Sequence, residues 1–332
     1  MNKTVFLGLG HYVPPKVVTN HDLEKLMDTT DEWILQRTGI QERRYVEEGM
    51  GNVEMSYEAT QMALQRTGLK IQDIEFIILG TLSPEYTFPG TACFLQEKLG
   101  ISNIPALDIR QQCTGFIYGL SIADQYIKTG MYKKILLVGT EVHSTGIEFA
   151  TRGRDVTVLF GDGAAVAILG ALPETEKRGV LSTHLHADGR FAKDLWIETP
   201  SSRSHPRITH QHVDEGSWYP KMNGRAVFVT AVKKFEEVIT EALEHNHIQK
   251  EEVSLFVFHQ ANLRIVQNVC EKMRIPEEKT FNNIQKYGNT TAASIPLALS
   301  EAWAAGKIKK NDLVCLSAFG SGFTWASALV RW

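Results

Sequence analysis

One pattern of strands and helices runs through this chain twice at a nearly constant separation, and it limits the possible folds more than any single motif. Apolar runs begin at Phe76 and Leu255, 179 residues apart, and at Ile135 and Leu313, 178 apart. Cys113 and Asn289, each just ahead of a helical pattern, are 176 apart. Residue identity between the halves is poor, so the spacing carries the inference of a duplicated unit. The runs Phe76–Leu79, Ile135–Val138, Val156–Phe160, Ala164–Leu169, Ser254–Phe258, Leu313–Ser317 and Thr324–Val330 read as buried strands. Met1–Leu7 supplies a first strand. Amphipathic patterns at Glu54–Thr67, Phe116–Lys128, Ala231–His245, Leu263–Met273 and Ile295–Ala305 read as helices. Alternating strands and helices predict an α/β protein with largely parallel sheets. The joint falls at Leu172–Glu176, dividing the chain into halves 1–172 and 173–332. Packed about a pseudo-twofold axis, the halves make neighbours of Cys113 and Asn289, and His259 at the end of its strand reaches the same point.

The chain has 332 residues, 43% hydrophobic and 22% charged, the composition of a globular protein. A net charge of −3 argues against general nucleic-acid binding. Basic clusters at Arg43-Arg44, Lys233-Lys234 and Lys307 with Lys309-Lys310 read first as solvated faces, with room for a small acidic partner. The cysteines at 93, 113, 270 and 315 have neither metal-ligand spacing nor a disulfide framework, which fits a reducing cytoplasm. No apolar run approaches the roughly 18 residues of a membrane helix, and the start lacks a signal peptide's length and cleavage site. Residues 191–222, rich in Pro, Ser and His, fit no single periodicity and read as a surface excursion beside a substrate entrance. Its histidines are too irregularly spaced for a metal site.

Three stretches carry chemistry. Gln111-Gln112-Cys113-Thr114-Gly115-Phe116 places a thiol at the start of a helix, where free N–H groups and the dipole end lower a thiol pKa. Phe258-His259-Gln260-Ala261-Asn262 places an imidazole at the carboxyl end of a buried strand, the usual ligand side of an α/β sheet. Tyr287-Gly288-Asn289-Thr290-Thr291 offers an amide, as a helix cap or as a donor into a site. Each has a structural reading: core cysteine, satisfied core histidine, N-cap. Phe319-Gly320-Ser321-Gly322-Phe323 can expose a backbone N–H to an oxyanion or be a plain tight turn. The Gly161-Asp162-Gly163 turn is given a structural role.

Together these motifs resemble β-ketoacyl-acyl-carrier-protein synthase III, a condensing enzyme of the thiolase-like superfamily. The match also includes Thr30-Asp31-Glu32-Trp33-Ile34, Arg37-Thr38-Gly39-Ile40, His259-Gln260-Ala261-Asn262-Leu263-Arg264 and Phe323-Thr324-Trp325. The resemblance implies a five-layered αβαβα fold, a homodimer and a cytoplasmic enzyme without metal or redox cofactor. It implies decarboxylative condensation of a short acyl-coenzyme A with malonyl-carrier protein, initiating fatty-acid synthesis. Cys113 would be the acylated nucleophile, with its own N–H and that of Ser321 as an oxyanion hole. His259 and Asn289 would hold the malonyl thioester oxygen. Trp33 and Arg154 would sandwich the adenine of coenzyme A, with Thr29 and Arg37 gripping the nucleotide. Phe88 would lie near the floor of the partner subunit's acyl pocket, and Arg264 would meet the acidic carrier protein.

The chain departs from the family pattern at several points. Gln111-Gln112 replaces the usual small residues before the cysteine, which bears on the acyl pocket. Ser321 replaces a Gly or Ala, where only the backbone is needed. Val229 stands where a basic residue is usual, with Arg225 and Lys233 nearby. The excursion before Arg225 is longer than usual. A condensing enzyme with a non-standard starter is a close variant. A cysteine hydrolase shares the order Cys, His, Asn, but the papain-type motif around the cysteine is absent. A non-catalytic paralogue would have lost one of the three.

Overall fold

The computed structural model describes residues 1–332. Two sheets form its frame. The first runs across in the order Lys3–Tyr12, Gly163–Leu172, Lys134–Glu141, Phe76–Gly80 and Ala106–Ile109. The second runs Gly179–Ala187, Thr324–Arg331, Leu313–Gly320 and Leu255–Phe258. The second sheet repeats the order of the first four strands. The fifth survives there only as a single parallel bridge between Phe256 and Thr280.

The sheets are mixed rather than largely parallel. Parallel pairing joins Phe76–Gly80 to both of its neighbours and Leu255–Phe258 to Leu313–Gly320. The other four pairings are antiparallel. In the second half the strands ending at Gly320 and starting at Thr324 are linked by a tight turn, which antiparallel neighbours permit and parallel ones do not. Hydrophobic runs look alike in either direction, so the sequence did not distinguish them.

Helices complete five layers. Asn52–Thr67 and Thr91–Lys98 cover the outer face of the first sheet. Gly115–Lys128 and Ser294–Ala304 lie between the sheets, and Gly224–His245 with Leu263–Met273 covers the outer face of the second. Burial follows this position. In Ser294–Ala304 every residue from Ser294 to Ser300 is buried, as a helix enclosed on all sides requires. Gly224–His245 buries one stripe, Ala231, Val232, Phe235, Val238, Ile239, Ala242 and Leu243, at helical spacing. The largest apolar cluster joins both halves, with Phe76, Ile78 and Leu137 in the same core as Val257, Leu316 and Ala328.

The run Val156–Phe160 is not a strand. Arg154–Thr157 is a short helix after a 3-10 turn, and only Phe160 pairs, through a lone bridge to Asn289. Its apolar residues are buried against Val18, Leu23 and Ile34 rather than in a sheet, a case that periodicity cannot separate from a strand. The 191–222 excursion folds into a ribbon pairing Leu195–Trp196 with Lys221–Met222 and a short helix at His210–Asp214. No helix is long and apolar enough to cross a membrane.

Candidate active site

Cys113 lies in a 3-10 turn, Gln112–Thr114, that leads directly into the central helix Gly115–Lys128. Gln112 just before it takes a left-handed φ of 44°. The Thr114 hydroxyl pairs with Thr324 Oγ1 at 2.9 Å, fastening this turn to the second sheet. Gly320 packs directly behind Cys113: a Cβ there would stand 2.9 Å from Sγ. The sulfur is buried, and the backbone N–H groups of Ser321 and of Cys113 itself favour its anion. Burial, aided by the Glu141 carboxylate, nevertheless pushes the thiol up to about 12. The expectation of a lowered thiol pKa fails here, because two N–H donors only partly offset removal from water.

His259 ends its strand with its backbone N–H donated to Ser317 O at 2.8 Å, and its ring is buried. Nδ1 lies 2.6 Å from Ser294 Oγ, while Nε2 is buried without any partner. Burial lowers the imidazole to about 3, and nearby His143 acts in the same direction, so the ring is neutral. Asn289 is anchored by its N–H to Leu159 O at 2.8 Å. Its side-chain Oδ1 accepts the Thr291 N–H at 2.9 Å, two residues on, just ahead of the 3-10 turn Thr291–Ala293 whose N-cap is Thr290. Asn289 is therefore not the N-cap: its oxygen is committed to this local bond and the amide nitrogen is free. Gly288 makes the approach possible, with φ 62° and a virtual Cβ 2.8 Å from Leu159 O. The turn after Asn289 packs against the turn that carries Cys113, and Ser294 at the head of the next helix holds His259. Thiol, imidazole and amide thus converge between the two sheets.

Two groups at this centre escaped the sequence reading. Glu141 is fully buried and accepts from Thr81 Oγ1, Ser83 Oγ and the N–H groups of Leu82 and Ser83. Burial still raises it to about 7. His143 is buried beside Phe160, its Nε2 2.6 Å from Thr291 Oγ1. Glu141 is the last residue of the strand Lys134–Glu141 and His143 lies two residues beyond it, at the same carboxyl end that singled out His259. Asp162 has the structural role expected of it. It accepts the N–H groups of Val46, His143 and Ser144 and so ties three segments together.

The remaining candidates sit further out. Thr30 caps the helix Asp31–Thr38, which carries Trp33 and Arg37. The guanidinium carbons of Arg37 and Arg154 lie 4.3 and 4.7 Å from the Trp33 ring centre, so in this structure no gap one ring wide separates Trp33 from Arg154. Thr29 Oγ1 has no partner. The Asn262 side chain donates to Arg37 O at 3.0 Å, which puts Arg37 beside exposed Arg264 at the head of Leu263–Met273. Val229 is exposed on the outer helix, near Arg225 and Lys233. Phe88, at 83% exposed, stands well away from any core.

Residues 107–189 match the family described as 3-oxoacyl-[acyl-carrier-protein] synthase III, and residues 243–332 its C-terminal part. A β-ketoacyl-[acyl-carrier-protein] synthase III of Geobacillus kaustophilus is 44% identical over 326 residues, 98% of each chain. One from Caldanaerobacter subterraneus is 41% identical over 98% of this chain and 97% of its own. The crystal structure of 3-oxoacyl-[acyl-carrier-protein] synthase III from Aquifex aeolicus is 42% identical, covers 100% of both chains and superimposes with a TM-score of 0.90. With the motifs, the five layers and relatives matching from end to end, this chain belongs to the β-ketoacyl-acyl-carrier-protein synthase III family of thiolase-like condensing acyltransferases.

Proposed function

We propose that this enzyme transfers a short acyl group, acetyl or similar, from coenzyme A to Cys113 and condenses it with malonyl-carrier protein. The observation that carries this reading is a buried, unpartnered His259 Nε2 and an uncommitted Asn289 amide on segments that pack about the turn of Cys113. Cys113 attacks the thioester carbon, and the N–H groups of Cys113 and Ser321 hold the resulting oxyanion until coenzyme A leaves with the thiol proton. Ser294 has one hydroxyl hydrogen for two acceptors, Thr291 O and His259 Nδ1; when it turns to Nδ1, a neutral His259 carries its hydrogen on Nε2. It then donates, with Asn289, to the oxygen of the malonyl thioester. Loss of CO2 places negative charge on that oxygen, so both bonds are stronger in the enolate than in the ground state. The enolate carbon attacks the Cys113 thioester, releasing 3-oxoacyl-carrier protein and the Cys113 thiolate, which takes a proton from water. The step balances without a metal or redox cofactor.

For the outer residues, Trp33, Arg37, Arg154 and Thr29 would bind the nucleotide of coenzyme A, with the Arg154 guanidinium moving off the indole to admit the adenine. Arg264, with Arg225 and Lys233 flanking Val229, would meet the acidic carrier protein. The exposed rings of Phe88 and Tyr86 call for a cover, which a second copy would supply at its acyl pocket. A monomer in sedimentation would rule that out. Four unpaired cysteines suit a cytoplasmic enzyme.

The test is the mass added to Cys113 after incubation with mixed acyl-coenzyme A, followed by product analysis with malonyl-carrier protein. Cys113→Ser should abolish acylation. His259→Ala and Asn289→Ala should each lower decarboxylation about a hundredfold or more while leaving acylation much less affected. Equal losses in both steps would refute this division of labour.

A further inference from the structure

His143 is, with His259, one of two buried histidines and has no part in the chemistry above. Its backbone N–H is held by Asp162 Oδ1 at 2.7 Å, its ring lies 4.4 Å from that of Phe160, and Nε2 reaches Thr291 Oγ1 at 2.6 Å. Thr291 is an unusual residue. It is β-branched, fully buried, and takes a left-handed φ of 48°, a conformation such residues avoid. From that conformation its N–H fixes Asn289 Oδ1 at 2.9 Å. Its carbonyl lies 2.9 Å from Ser294 Oγ, the hydroxyl that contacts His259 Nδ1. One strained residue therefore touches Asn289 directly and His259 through a single hydroxyl. The only side chain that grips its own hydroxyl is His143.

We propose that His143 is a positioning residue: by holding the Thr291 hydroxyl it keeps that residue in its left-handed conformation, and so aims the Asn289 amide and the His259 ring at the enolate oxygen. This rests on the roles proposed for Asn289 and His259. The contacts reach the decarboxylation donors and not the Ser321 and Cys113 N–H groups, so the two half-reactions must respond differently. The thioester oxyanion is served by donors that His143 does not touch.

The experiment compares wild type, His143→Leu, His143→Gln, Thr291→Ala and the double variant His143→Leu with Thr291→Ala. Acylation of Cys113 by acyl-coenzyme A is read by mass, and CO2 release from malonyl-carrier protein is read separately. His143→Leu and Thr291→Ala should each slow CO2 release by about tenfold to a hundredfold, the cost of misplacing a group by a fraction of an ångström to about 1 Å. Acylation should stay near wild type. The double variant should be no slower than the worse single one, because both remove the same bond. His143→Gln, which can still bond the hydroxyl, should recover part of the loss. Equal slowing of both half-reactions, additive losses or unchanged CO2 release would each overturn the proposal. If His143→Leu does not fold, the same two rates for Thr291→Ala decide. A crystal structure of His143→Leu, or of His143→Gln in that event, is independent of activity. A Thr291 φ and an Asn289 Oδ1 contact unchanged in a variant that lacks the His143 bond overturn the inference even if the functional reading stands. Wild-type protein that neither acylates nor decarboxylates refutes the functional reading, and the crystallographic comparison still judges His143.

Discussion

A sulfur at the head of a helix and a sulfur in a dry pocket have opposite acidities, and Cys113 is both. Its motif was legible only in company: alone it read as a core cysteine, and the His259 and Asn289 stretches reversed that balance. The sign of its shift was not, because burial depends on Gly320 packing from a strand 207 residues further on. The same limit hid His143: its position after a strand was visible, but its contact with Thr291 is made only by the fold. A thiol raised to about 12 is protonated across the neutral range, so alkylation of Cys113 by iodoacetamide should climb about tenfold per pH unit between pH 7 and 9 without a plateau. Glu141→Gln removes a negative charge that disfavours the thiolate and should speed alkylation at a fixed pH above 7. An unchanged rate would mean that desolvation alone sets the acidity.

Elements with one apolar stripe or a fully apolar run were readable to within a few residues, as Leu263–Met273 shows. Those lost were short or only partly buried. Ala106–Ile109 buries none of its four residues completely, so no hydrophobic pattern marks it. Val156–Phe160 is apolar for reasons of tertiary packing. The Asp31–Thr38 helix shows what such packing accomplishes. It ends at Gly39, φ 75°, pressed against Leu263, whose Cβ would lie 2.6 Å from an added Cβ. Gly39→Ala should cost about 2 kcal/mol or more, from the left-handed backbone and from overpacking together. It should also raise KM for acyl-coenzyme A more than it lowers kcat, because it shifts Arg37 relative to Arg264. Urea unfolding and steady-state kinetics would check both, and a lowered kcat at constant KM would contradict this picture of the helix as a binding element.

Stability of the whole molecule is linked to buried titratable groups at its centre. His143 and His259, both lowered to about 3, bind a proton in the unfolded chain below about pH 6.5 but not in the folded one. Their contribution is lost as pH falls through that range. Glu141, raised to about 7, works the other way: the folded state retains its proton from pH 7 down to its ordinary value, so acidification there favours folding. Replacing His143 by Leu should flatten the pH dependence of unfolding free energy between pH 6 and 4.5 by about 1.4 kcal/mol per pH unit, one proton's worth. The same slope in both proteins would show that His143 is protonated without penalty. The repeat spacing conveyed this scale of architecture well, but strand direction needed the folded chain. The shared core has a consequence for how the molecule could be divided. Its middle helices each rest on sheets from both repeats, so neither repeat can close its own interior. Polypeptides severed in the exposed stretch at Pro173–Thr175 should be insoluble when expressed singly and should regain a working catalyst only when produced together.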